Sequence, residues 1–240
     1  MPRKREKSNE DPATQAYLAG LSALYRHPLF LPLLRRATVT RNEFWSRCPA
    51  DAWAVVSQDG CIHLHPSRRA TAEEWIWVIA HSVLHLGFGH FQTRARADLW
   101  NIACDVFVNR FLADLKLGRP PASLDIPDAL TSGVPLASEN ALYDWLFERG
   151  VPAGLRGGGT AGTGPDMLWI EGRRVAGPSD DWKELLGEGL RHAVTAAVDV
   201  AAGKVATLAG GRGRITPSQR ARSWFMSNYP LLGSLAAAFT

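Results

Sequence analysis

The stretch EEWIWVIAHSVLHLGFGHFQ, residues 73–92, decides how this chain folds. Just ahead of it stands Thr71, three residues before Glu74, the spacing of a reciprocal capping box. An apolar run starts at once, so a helix is expected over about Ala72 to Leu86, ended by Gly87 and Gly89. His81 and His85 lie four apart inside it. That spacing separates them by about 40° and one turn, so both project from one face. Two imidazoles so placed can meet one Zn²⁺ at roughly 2.0–2.1 Å. The competing reading is a pair of core histidines, each bonded to backbone or to a carboxylate. Val83 and Leu84 point into the core and fix the helix in either case.

Upstream, TQAYLAGLSALYRHPLFLPLLRRA predicts a helix from about Thr14 to Tyr25, broken at His27-Pro28, with a second short apolar helix after it. AWAVVSQDGCIHLHP predicts a β-hairpin, with Val55 and Val56 on one strand and Ile62 and Leu64 on the other. Asp59-Gly60 is expected to supply the positive φ angles of a tight turn. Downstream, a helix is expected over about Ala97 to Leu115, closing on Gly118 before Pro120-Pro121. A short helix capped by Ser138 follows. The fold class expected is α+β, mainly helical.

Four segments follow from composition: a disordered basic tail over residues 1–12, a main domain over 13–149, a Gly-rich loop or linker over 150–179, and a helical extension over 180–240. The extension holds a long helix ending at Gly210-Gly211 and a last one capped by Thr216. The Gly-rich stretch lacks the G-x-x-x-x-G-K-[ST] of a phosphate cradle and reads as a flexible loop. The net charge of +4 lies mainly in the tail and near GGRGR, without a recognition motif, so no nucleic acid is expected. The longest apolar runs, WIWVIA and LLGSLAAAF, are too short to cross a membrane. Three cysteines at irregular spacing give no disulfide framework and point to a cytoplasmic setting.

A zinc site needs a third ligand. Asp105, in WNIACDVFVN, shares a helix face with Asn101 and Asn109, four residues to either side. A buried face carrying Asn, Asp and Asn needs partners for all three. A metal with its histidine ligands would supply them, and so would an ordinary helix–helix hydrogen-bond network. His90 is the alternative ligand, five residues after His85, where the metzincin pattern has six. His63 and His65 alternate on a strand, either as a second metal pair or, more plainly, as solvent-facing positions.

VIAHSVLHLGFGH, LWNIACDVFVNRFL and SENALYDWL, in that order, resemble a bacterial metallopeptidase-like domain of the type that precedes von Willebrand factor A-like domains. The resemblance covers about residues 50–147. It implies a zincin-like fold: a small sheet, an active-site helix, and a second helix bringing a ligand. It matches His81 and His85 to the helix ligands and Asp105 to the third, and it implies an AAA+ ATPase or a von Willebrand factor A-like protein as partner. The end of the chain, YPLLGSLAAAFT, resembles a segment found ahead of such peptidase-like domains, so the chain is expected to belong to a longer protein or system.

The chain departs from the family's H-E-x-x-H at Ser82, where the general base should stand. A serine hydroxyl is not basic near neutral pH, and general acid–base help is worth roughly 10²–10⁴-fold. Glu74 is about 10 Å away along the helix, and Glu73 is worse placed. Ser82 as a nucleophile would need a base, and no carboxylate is evident to orient His85 for that. The expected function is therefore a degenerate, zinc-binding peptidase-like module that holds a protein or peptide. The alternatives are an active hydrolase whose base comes from elsewhere, and a metal-free helical scaffold.

Overall fold

In the computed structural model the described residues are 11–43, 47–126, 133–135, 137–153, 155, 159–162, 164–170 and 179–208. Of the tail expected over residues 1–12, residues 1–10 lie outside them and Pro12 already begins the first helix; the end of the long helix at Gly210-Gly211, the Thr216 helix and the final apolar segment also lie outside them.

The chain opens with α1 (Pro12–Arg26) and α2 (Leu31–Arg36), then β1 (Thr38–Thr40), β2 (Ala54–Ser57) and β3 (Cys61–Leu64). Two helices follow, α3 (Ala72–Gly87) and α4 (Ala97–Leu115). Then come α5 (Glu139–Arg149), β4 (Met167–Leu168) and α6 (Ser179–Leu208). The fold is thus mainly helical with one small sheet, ordered β1-β3-β2-β4. β3 runs antiparallel to β2 and parallel to β1, and β4 runs parallel to β2.

α3 is the central element. Its capping box is formed in both directions, with the Thr71 backbone N–H donating to Glu74 Oε2 at 2.8 Å. Every residue from Trp75 to Gly87 is buried. A helix apolar all round must be covered on all sides. Here α1, α4, α6 and the sheet cover it, and an aromatic lattice fills the gaps. Trp75 meets Tyr17 and Trp53 edge-on at 5.7 and 6.0 Å. Phe88 meets Phe107 and Phe111, each at 5.2 Å. Leu186 and Leu190 bring the first turns of α6 into this same core.

The β2–β3 hairpin differs from the expected two-residue turn. Only Gly60 takes a positive φ, +89°, and its N–H donates to Ser57 O at 2.9 Å. Gln58 and Asp59 form an ordinary turn, and Gly60 then supplies the left-handed residue of a three-residue loop. α4 also ends otherwise than expected. Its left-handed terminator is Lys116, φ +52°, rather than Gly118. Gly118 is also left-handed, φ +63°, and fits closely against the Glu73 carbonyl and Trp77 backbone N.

The Gly-rich stretch carries more structure than a flexible loop would. β4 lies within it and extends the sheet, with Val56 opposite Met167 and Ser57 opposite Leu168. Trp53 N–H donates to Thr160 O at 2.7 Å, and Val56 N–H to Asp166 O at 2.7 Å. A sheet edge whose backbone N–H groups need acceptors can recruit a sequence with little apolar content of its own, which is why composition alone misses it.

Candidate metal centre

α3 projects His81 and His85 from one face, and α4 crosses it to bring Asp105 opposite them. The segment leading into β4 adds Asp166. All four side chains are buried, and one ligand atom from each lies within 4.8 Å of the others. His81 Nε2 is 3.0 Å from His85 Nε2 and 3.2 Å from Asp166 Oδ2. His85 Nε2 is 3.3 Å from Asp105 Oδ1. The remaining histidine–carboxylate separations are both 3.5 Å. Four ligands about 2.0–2.1 Å from a tetrahedral centre lie about 3.3 Å from one another. The five separations that involve a histidine are therefore close to the edges of a zinc tetrahedron, while the two carboxylate oxygens lie within 4.8 Å of each other. Asp105 Oδ1 and Asp166 Oδ1 are both buried and accept no hydrogen bond. Asp105 Oδ1, buried and facing both imidazole Nε2 atoms, has the donor chemistry to coordinate a cation. The cluster is suited to hold a divalent metal such as Zn²⁺.

The surrounding groups point each ligand inward. His81 Nδ1 lies 2.9 Å from Asn109 Oδ1. An amide oxygen only accepts, so the His81 proton sits on Nδ1 and the Nε2 lone pair is left for a metal. His85 Nδ1 lies 3.1 Å from His90 Nδ1. Asn101 Nδ2 donates to Asp105 Oδ2 at 2.7 Å. Thr160 N–H donates to Asp166 Oδ2 at 3.1 Å, and the Thr160 hydroxyl shares its proton between that oxygen and Ala54 O.

Electrostatics follow from burial and proximity. Burial lowers the pKa of His81, but the Asp105 and Asp166 carboxylates outweigh it and raise the value. For His85 the same contest ends with the pKa pushed up to about 10. Burial raises Asp105, with the Asp166 charge adding to it. Burial also works to raise Asp166, yet the two histidines hold it well below the usual carboxylate range. His90, buried beside His85, is held well below the ordinary histidine value and is neutral.

The structure thus gathers His81, His85 and Asp105, with Asn109 and Asn101 behind them. His90 stands behind His85, outside the four-atom cluster. Ser82 is buried and its hydroxyl donates to Val78 O at 3.0 Å, turned back along the helix. Glu74 is occupied at the cap. His63 is buried opposite Val55, with its Nδ1 4.0 Å from Cys61 Sγ, rather than solvent-facing. His65 Nδ1 accepts from Ser67 N–H at 3.2 Å. Neither belongs to the cluster. Asp166 is the residue that sequence reasoning missed. It stands alone in TGPDMLW, 61 positions beyond Asp105, without any local spacing to mark it.

A mainly helical fold with a small open sheet and a buried His/His/Asp/Asp cluster is a zincin-like arrangement. The chain belongs to the family described as "Putative metallopeptidase domain", which matches residues 50–223. That match runs past residue 147, about where the resemblance of the sequence motifs ended. No curated protein and no solved structure matches the chain. Among the described residues no helix is long and apolar enough to cross a membrane.

Proposed function

We propose that this chain is a metal-binding pseudopeptidase: a zincin-like domain that holds Zn²⁺ through His81, His85, Asp105 and Asp166 and serves as a protein- or peptide-binding module. The observation that carries it is the position of Asp166. A catalytic zinc site keeps one position open, whereas a structural site is closed by four protein ligands. Asp166 Oδ2, 3.2 Å from His81 Nε2 and 3.5 Å from His85 Nε2, fills the fourth corner. Ser82, bonded to its own helix, offers no base beside it. When bound, the metal would supply a fixed positive charge that neutralises the two carboxylates and locks α3, α4 and the β4 segment together.

A second reading, hydrolysis with Asp166 as proton acceptor for a water, draws on its unpartnered Oδ1. The family resemblance supports an AAA+ ATPase or a von Willebrand factor A-like protein as partner. Cys48, Cys61 and Cys104, none of them in a disulfide, support a cytoplasmic setting.

The test is metal content by mass spectrometry on untagged protein beside the His81→Ala/His85→Ala variant. About one zinc per chain, lost in the variant, is expected. No zinc after reconstitution would refute the proposal. Casein cleavage that vanishes in Asp166→Ala would favour the hydrolytic reading instead.

A further inference from the structure

A cleft of about 760 Å³ opens beside the metal centre, between the start of α4, the end of α5 and the segment around β4. Its volume suits a short peptide segment. Three features of its wall bear on what it could hold.

The first is charge. Arg94 and Arg96 both line the cleft. Arg96 is neutralised by Asp98, with contacts of 3.0 and 2.6 Å. Arg94 has no carboxylate within ion-pair distance among the described residues. Its guanidinium stacks over Trp100 at 4.3 Å and donates to the neutral side chains of Gln92 and Asn140. Its buried Nε–H finds no acceptor. Stacking fixes the guanidinium in place, so a carboxylate can be bound without first ordering it.

The second is a lone acceptor. Asn101 is 6% exposed and lines the cleft. Its amide nitrogen is committed to Asp105 Oδ2, which fixes the orientation of the group, and its Oδ1 is left without a donor. It sits next to Trp100, the residue on which Arg94 stacks. A buried amide oxygen of this kind is costly unless an N–H reaches it.

The third is apolar surface. Phe147 is 57% exposed and Trp169 46% exposed, and both face the cleft beside Val151 and Met167. An exposed aromatic pair rimmed by polar groups marks a binding surface.

We propose that this cleft binds the C-terminal residue of an apolar peptide. Arg94 takes the terminal carboxylate, Asn101 Oδ1 accepts the N–H of that residue, and Phe147 and Trp169 cover its side chain. A peptide's last residue carries an amide N–H and a carboxylate on the same α-carbon, and the cleft holds one unmatched partner for each. This deepens the peptide-binding reading above by naming the end of the chain that is recognised.

The experiment uses the full, zinc-loaded chain and two probes: N-acetyl-Leu-Ala-Phe with a free C-terminal carboxylate, and the same peptide as its amide. Calorimetric titration should give a measurable Kd for the acid below about 1 mM. The amide should bind at least about tenfold more weakly. Arg94→Gln should reduce the acid to the level of the amide while zinc content stays unchanged. Equal affinity for acid and amide would overturn the proposal, and so would no binding of either at about 1 mM. If Arg94→Gln does not fold, the comparison of acid with amide on the unmodified chain decides alone. Zinc is measured on the same samples. Protein that holds zinc and ignores both peptides sinks this inference and leaves the metal reading intact. Acid-selective binding by protein that cannot hold zinc does the reverse.

Discussion

In the metal-free protein, burial disfavours the charged form of His85, but Asp166 and Asp105 overcome it and push its pKa up to about 10. An unfolded histidine titrates near 6.5. A histidine raised in this way contributes stability that is fully present below about pH 6.5 and is lost as pH climbs through about 10. Between those values the folded state holds the extra proton. Its unfolding free energy should therefore fall by about 1.4 kcal/mol per pH unit, roughly 5 kcal/mol over the whole interval. The depressed pKa of Asp166 belongs to the same ion pair, so its contribution is not added to this one. That half appears as pH rises above the unfolded aspartate value and is lost in acid.

Zinc should reverse the slope, because its ligands bind it deprotonated and acid competes for them. The assay is urea unfolding in chelator at several values between about pH 6.5 and 9.5, with His85→Gln alongside so that the difference isolates this group. Metal-free stability that is flat or rising with pH relative to His85→Gln would refute the electrostatic account of the cluster.

Gly159→Ala should weaken metal binding, since a Cβ there would run into the Asp105 carboxylate and come within 2.9 Å of Asp166 Oδ2. Zinc affinity should drop at least about tenfold, with about 1–3 kcal/mol of destabilisation visible in urea melts. Asn109→Leu removes the acceptor that fixes the His81 tautomer and should lower zinc affinity about 10–100-fold in competition with a chromophoric chelator. Thr71→Ala breaks the capping box far from the cluster and should cost about 1 kcal/mol while leaving zinc content unchanged.

Local sequence determined the elements that carry the site. The Thr71–Glu74 box, the apolar run behind it and the four-residue spacing of His81 and His85 are short-range properties. Helix geometry converts them directly into two imidazoles on one face. The Asn101–Asp105–Asn109 face was legible for the same reason, as a polar stripe on a helix that had to be buried. Three things were decided only by tertiary structure. Lys116 caps α4 in the left-handed conformation two residues before Gly118, which is itself at φ +63° where the chain passes close against the backbone of α3. His90 stands behind His85 instead of beside the metal position, because the turn after α3 tucks its ring under Trp100 and Phe88. Asp166 becomes the fourth corner of the cluster through backbone bonds between its segment and β2. Such bonds depend on no side-chain pattern, so the residue that closes the site left no local trace in the sequence.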